Sequence, residues 1–202
     1  MLTSYRRILA QPGTLRFSMA GLVARLPISM IGLGIVLLVS AATGSYGVAG
    51  AISAAYMIAN ASFAILQGRL LDRLGQGRVL AAASIGFGVA ISLLVVSVQA
   101  DWPTLTTYVL AAAGGALLPQ VGSAVRARWS HALARPADVQ TAFALEAVLD
   151  EAVFILGPIL VAVLATAWHP VAGIAVAVVA CVVGTLAFCA QRATEPLSLI
   201  HI

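Results

Sequence analysis

Charge is what this sequence has least of. Only 9% of its 202 residues are Asp, Glu, Lys or Arg, where a soluble domain carries roughly a quarter. Lysine is missing altogether, so all eleven basic residues are arginines. With 61% hydrophobic residues and a mean hydropathy of +1.04, the shortage excludes an ordinary soluble domain and points to membrane spans. Cysteine is also scarce. Cys181 and Cys189 fall on one predicted helix, about 12 Å apart along its axis, which excludes a disulfide between them. No histidine stands beside them, so they make no metal site and read as apolar filler. His131 and His169 are isolated in predicted loops and read as solvated. No metal-ligand spacing and no nucleophile motif occurs, and neither a cofactor nor a metal is expected. The net charge of +4 and pI of 9.7 would suit nucleic acid in a soluble protein. No such motif is present, and the arginines flank apolar runs, so the expected partner is a lipid bilayer and not nucleic acid.

What fills the chain instead is six apolar runs, at about 17–39, 47–66, 79–98, 105–125, 139–167 and 171–190. Each approaches or exceeds the ~20 helical residues that cross a hydrocarbon core. The first run is too long for a signal peptide, contains Arg25 and lacks a small-residue cleavage site, so it is read as a retained helix. Residues 1–16 form a polar segment in which Pro12-Gly13 breaks any early helix, and 191–202 form a tail. The final residues, 197–202, fit no membrane pattern, and the chain is expected to be truncated there. Trp102 and Tyr108 suit a membrane interface. Gly44, Gly47 and Gly50 open the second run and predict a close helix approach.

Ten of the eleven arginines fall on one side of this arrangement: Arg6, Arg7, Arg16, Arg69, Arg73, Arg78, Arg126, Arg128, Arg135 and Arg192. The connections on the other side hold no arginine or lysine. Positive residues in short loops stay in the cytoplasm, which predicts a multi-pass plasma-membrane protein with both termini cytoplasmic.

One arginine-rich connection carries a further pattern. Residues 68–78 read Gly-Arg-Leu-Leu-Asp-Arg-Leu-Gly-Gln-Gly-Arg, and Gly68, Leu70, Asp72, Arg73, Gly75 and Arg78 stand at the spacing Gly-x-Leu-x-Asp-Arg-x-Gly-x-x-Arg. This resembles the signature loop between helices two and three of the major facilitator superfamily of secondary transporters. Gln76 departs from it where a basic residue is common. The resemblance implies an all-α integral membrane fold of six transmembrane helices, a 3+3 inverted repeat forming the N-terminal half of a transporter. A second, C-terminal six-helix half would then be missing. It also implies that Asp72 steadies one conformation by meeting the positive end of a helix in that second half, with Arg73, Arg78 or Arg126 completing the charge network.

Ionisable residues within apolar runs are functional candidates by default. Arg25 in the first run and Glu146, Asp150 and Glu151 in the fifth lie at similar depth. Glu146 and Asp150, four apart, share a helix face, where like charges repel and call for a proton or a cation. Two readings stand side by side: a proton- or substrate-coupling site lined by Arg25, Glu146, Asp150 and Glu151, or a fixed buried salt bridge that sets helix packing. Gly157-Pro158 resembles the Gly-Pro of the antiporter motif of the family, although Ile159, Leu160 and Val161 follow in place of further glycines, and a plain kink fits equally. In the fourth run Gly114, Gly115, Pro119, Gln120, Gly122 and Ser123 make a small, polar stripe. Gln120 and Ser123 are pathway candidates there, close helix packing being the alternative. Arg126 and Arg128 are expected at the interface. The preferred reading is proton-coupled efflux of a small solute by alternating access. Its rivals are a non-transporting fragment or membrane assembly module, and an intramembrane enzyme using Asp150 and Glu151, for which no nucleophile accompanies the acids.

Overall fold

In a computed structural model, which describes residues 2–196, the chain is helical throughout, with no strand among those residues. A short helix α1 (Leu2–Leu9) precedes α2 (Thr14–Arg25) and α3 (Pro27–Thr43), which join into one kinked span. Then follow α4 (Tyr46–Leu74), α5 (Gln76–Gln99), α6 (Thr104–Leu117), α7 (Val121–Ala132), α8 (Pro136–Ala167) and α9 (Pro170–Cys189). Six helices or helix pairs are long and apolar enough to cross a membrane: Thr14–Thr43, Tyr46–Leu74, Gln76–Gln99, Thr104–Ala132, Pro136–Ala167 and Pro170–Cys189. They are called spans 1 to 6 below.

Most of these elements are longer than hydropathy alone predicts, because charged and polar turns at their ends still form good helix. The signature segment shows this most clearly. In place of a loop over 68–78, α4 runs through Arg69, Asp72 and Arg73 to Leu74, and α5 begins at Gln76. The reversal is concentrated at Gly75, whose φ of 87° is open to glycine and strained for other residues. Leu and Arg are strong helix formers, so nothing before Gly75 needs to unwind. Similarly, Arg126 and Arg128 lie on α7 and not in a loop, as does His131 in its last turn. His169 caps α9, its Nδ1 accepting from the Val171 amide at 3.2 Å. At the start, α1 forms ahead of the Pro12-Gly13 break and is pinned down. Ile8 is buried, Thr14 Oγ1 donates to the Ile8 carbonyl at 2.9 Å, and Arg7 pairs with Asp138 at the start of α8.

The spans pack in a self-consistent pattern. Span 2 lies on span 4, and span 1 on span 5; span 3 touches span 4, and span 6 touches span 1; spans 3 and 6 touch each other. Exchanging spans 1, 2 and 3 for 4, 5 and 6 maps the first four of these contacts onto one another in pairs and the contact of spans 3 and 6 onto itself. Successive spans alternate in direction, so span 1 and span 4 run opposite ways. The result is a 3+3 inverted repeat, the arrangement the family resemblance implied.

Two apolar cores hold the bundle. One gathers Met30, Ile31, Ile35, Ile52, Tyr56, Phe87, Ile91, Ile174 and Cys181; the other, nearer the arginine-rich face, gathers Phe17, Leu80, Val125, Trp129, Ala142 and Phe188. Small residues bring backbones together in span 4, where close packing is one of the two readings of the glycine stripe, but not at the glycines that open span 2. A Cβ on Gly44 or Gly50 would meet nothing within 4 Å, so these glycines make no close packing. Tight backbone contacts lie at Gly115, where an added Cβ would run into the Tyr56 carbonyl of α4, and at Gly184, where it would run into the Ala24 amide of α2. Lipid supplies no hydrophobic push between helices, so such backbone contact is a main source of cohesion. Gly115→Val should therefore destabilise by about 1–3 kcal/mol through overpacking, while Gly50→Val stays near neutral. Thermal unfolding of both variants in one detergent checks this, and equal melting points would refute it.

Candidate functional site

The ionisable groups of spans 1, 4 and 5 meet at one place. Arg25 ends α2, directly before the kink at Pro27, and its side chain is 6% exposed. Its Nε donates to the Gly21 carbonyl at 3.1 Å, Nη1 pairs with Asp150 Oδ1, and Nη2 pairs with Glu146 Oε2. Glu146 is fully buried, and its other oxygen accepts from Ser18 Oγ at 2.7 Å and from Trp129 Nε1 at 2.8 Å. Asp150 is more open, its side chain 28% exposed, and its second oxygen accepts from Arg126 Nη2 at 2.8 Å. Two guanidiniums thus face two carboxylates in a neutral cluster.

This arrangement answers the repulsion expected between Glu146 and Asp150, because Arg25 lies between them and bonds both. Counted along the helices, Arg25 lies about 27 Å from Thr43 and Asp150 about 26 Å from Ala167. The cluster therefore sits nearly one hydrocarbon thickness from the far ends of its spans, toward the arginine-rich face. Phe17 meets Trp129 edge to face, ring centroids 4.9 Å apart, and closes the apolar side. Glu151 is not part of the cluster. It is exposed, about 100° around α8 from Asp150, and has no ion pair among the described residues.

Span 4 breaks at Leu118–Gln120, between α6 and α7, where Pro119 has no amide to give. Groups freed by the break are taken up from α4. Gln67 Nε2 donates to the Ala116 and Leu118 carbonyls at 2.8 and 3.0 Å, and its Oε1 accepts from the Gln120 amide at 3.3 Å. Gln120 Nε2 reaches Asn60 Oδ1 at 3.0 Å, and Ser123, which is exposed, donates to the Gln120 carbonyl. Gly114 and Gly115 are buried in helix packing, so the stripe divides: glycines toward α4 and α5, polar groups toward the break.

In span 5, Pro158 lies inside an unbroken α8. Gly157 sits against Ser29 of α3, whose hydroxyl donates to the Val153 carbonyl at 2.9 Å. A neighbouring helix thus supplies a donor in the turn that proline weakens.

Arg128 corrects the expectation of an interfacial residue, because it is wholly buried. Nε donates to Gln76 Oε1 at 3.0 Å, and Nη1 to the Phe188 and Gln191 carbonyls and to Thr194 Oγ1 at 3.0–3.1 Å. The guanidinium lies over the Phe188 ring, 3.7 Å from its centroid. Its charge thus meets the negative end of α9, a favourable placement for a cation. The contact also accounts for Gln76, since a basic side chain there would face a buried guanidinium. Ser18, Trp129 and Arg128 were all missed in the sequence. A signal was present: Val121, Ala124, Val125, Arg128 and Trp129 form one buried stripe of α7 at helical spacing.

In the signature segment, Leu71 is buried, whereas Arg69, Asp72, Arg73 and Arg78 are exposed. Residues 17–199 match the family described as the Major Facilitator Superfamily. The chain belongs to the major facilitator superfamily. No curated protein and no solved structure matches it. As a superfamily member with six apolar spans it is a multi-pass membrane transporter of that kind, and the six spans have the composition of one half-domain.

Removing Arg25 leaves Glu146 buried and unpaired, so Arg25→Ala should cost about 3–5 kcal/mol. Arg25→Lys should cost less, because one ammonium still meets a carboxylate. Glu151→Gln should stay within about 0.5 kcal/mol, as expected at an exposed site. Unfolding midpoints in detergent give the ranking, and a tolerated Arg25→Ala would mean that water or headgroups reach the site.

Proposed function

We propose that the protein moves a small solute across the plasma membrane by alternating access, driven by protons in the direction of efflux. The observation that carries this reading is the neutral cluster of Arg25, Arg126, Glu146 and Asp150 at the meeting of three spans. Its two acids differ in environment. Glu146 is enclosed and accepts three side-chain donors, so it serves as a fixed anchor. Asp150 is half open and shared by two arginines. A proton on Asp150 weakens both of its pairs, releasing Arg126 while Arg25 stays on Glu146. The contact between spans 4 and 5 would then loosen while that between spans 1 and 5 persists, which is a proton-dependent change between helices that line the pathway. Gln120, Ser123 and the Gly157-Pro158 pair belong to the same reading as pathway lining and flexible point.

In the working transporter, a second six-helix half would cover the exposed faces of α4 and α8. The most apolar windows of these two spans are only 22% and 17% buried, against 44–56% for the other four. Glu151 supports the placement, because a carboxylate facing lipid is costly and one facing an internal water pathway is not. Asp72, exposed and without an ion pair among the described residues, is available to the positive end of a helix in that half. The arginine-rich face would be cytoplasmic, with both termini on that side.

Proteoliposomes loaded with a panel of labelled small solutes and given a pH gradient test the coupling. Asp150→Asn should abolish the pH dependence of transport while the protein still folds; an unchanged pH profile would leave the cluster a structural role only. Orientation is separable from mechanism. Single cysteines at Asp101 and Arg73, in a chain without Cys181 and Cys189, should react with impermeant reagents from opposite sides of the membrane. Labelling from one side only would overturn the topology.

A further inference from the structure

A cavity of about 230 Å³ opens between spans 1 to 4 at the ends opposite the arginine-rich face, far from the charge cluster. It is smaller than the ~300–1,000 Å³ of sites for drug-sized ligands. Val39, Val48, Ile52 and Val98 give it an apolar wall, and the exposed Asp101 and Trp102 form its rim. The turn that carries this rim is held by the Trp102 amide, which donates to the Ser97 carbonyl at 2.9 Å.

The bonded hydroxyls of the lining have all given their protons elsewhere. Ser97 Oγ donates to the Leu94 carbonyl at 2.8 Å, so in its 3.1 Å contact with Thr107 the donor is Thr107 Oγ1. Thr43 Oγ1 donates to the Val39 carbonyl at 2.8 Å. Each hydroxyl has one proton and two lone pairs, so toward the cavity these three can only accept. Thr104, the fourth hydroxyl of the lining, has no bond among the described residues and can turn to accept as well. Asp101 forms no ion pair among the described residues, and no arginine or lysine lies in the connections on this side. Its negative charge is therefore without a counterion. An indole ring such as that of Trp102 also attracts cations to its face.

We propose that this cavity binds a small dissolved primary ammonium ion. Its N–H groups donate to Asp101 and the hydroxyls, and its short alkyl body lies against the valines and Ile52. One carboxylate, acceptor-only hydroxyls and an apolar wall in so small a space all match that ligand. Calcium takes about six to eight oxygens, whereas much of this wall offers none. An aminophospholipid would set its phosphate beside Asp101, with no arginine or lysine on that side to meet it. The site depends on the helical fold and not on any transport mechanism.

Thermal unfolding of the purified protein in a neutral detergent, titrated with n-butylammonium chloride at constant ionic strength, tests the proposal. The melting point should rise with concentration, as it does for a ligand of the folded state. Neither n-butanol nor sodium or calcium chloride should reproduce the rise. Asp101→Asn keeps a residue type that tolerates the φ of 50° at this position and should weaken the amine about fivefold. Ala42→Phe, which fills the cavity and leaves Asp101 in place, should abolish the rise. Asp72→Asn, removing an exposed carboxylate from the other face, should leave it unchanged. An equal rise with butanol, insensitivity to Asp101→Asn, or an equal loss in the Asp72→Asn control would overturn the proposal. Insensitivity to Ala42→Phe would put the ion on the open surface and remove the cavity site. A stronger rise with calcium, or displacement of butylammonium by phosphatidylethanolamine added to the micelles, would also overturn it, in favour of a metal or a lipid. The ligand-free melting curve of each variant separates lost binding from lost fold.

Discussion

Arg25 holds together three spans that the membrane alone would not hold in register. Hydrocarbon is as apolar as the side chains facing it, so helices in lipid associate through close packing and polar contacts. Here the polar contact is a cation placed between two carboxylates that would otherwise repel, with Arg126 completing neutrality. Glu146 extends the network to Ser18 in span 1 and Trp129 in span 4. Removing any buried member exposes a charge without a partner, so the pieces hold one another in place.

A second polar centre works by a different rule. Arg128 has no carboxylate within salt-bridge distance among the described residues; its Nε and Nη1 bond an amide oxygen, carbonyls at and just past the end of α9 and a hydroxyl, its face covers an aromatic ring, and its buried Nη2 has no hydrogen-bond partner. It links span 4, span 6 and the start of α5 just beyond Gly75. The signature segment therefore has two sides. Gln76 faces inward and is tied to Arg128, while Asp72, Arg73 and Arg78 are exposed and form no ion pair among the described residues. One glycine turn separates these roles.

Much of the architecture could be read directly from the residues. Apolar runs of bilayer length define the six spans, because a backbone in lipid must satisfy its own hydrogen bonds and helices do so within each segment. The excess of arginine at alternate connections orders them. The similar depth of Arg25 and the acids of span 5 was also legible, since depth is only a count of residues along a helix. What a linear count cannot supply is the facing of each helix. Glu151 and Asp150 are neighbours in sequence, yet about 100° of helical turn separates them, and only the docking of span 5 on spans 1 and 4 decides which one is paired. Arg128 looked interfacial beside Arg126 for the same reason, and the packing of α7 buried one and left the other open. The inverted repeat was invisible in sequence because lipid selects for apolar character and hardly for identity. It emerged from which spans touch. The sequence by itself determined the number, depth and order of the spans; the tertiary structure alone decided which charged groups meet, because pairing in a membrane is set by helix rotation and close approach.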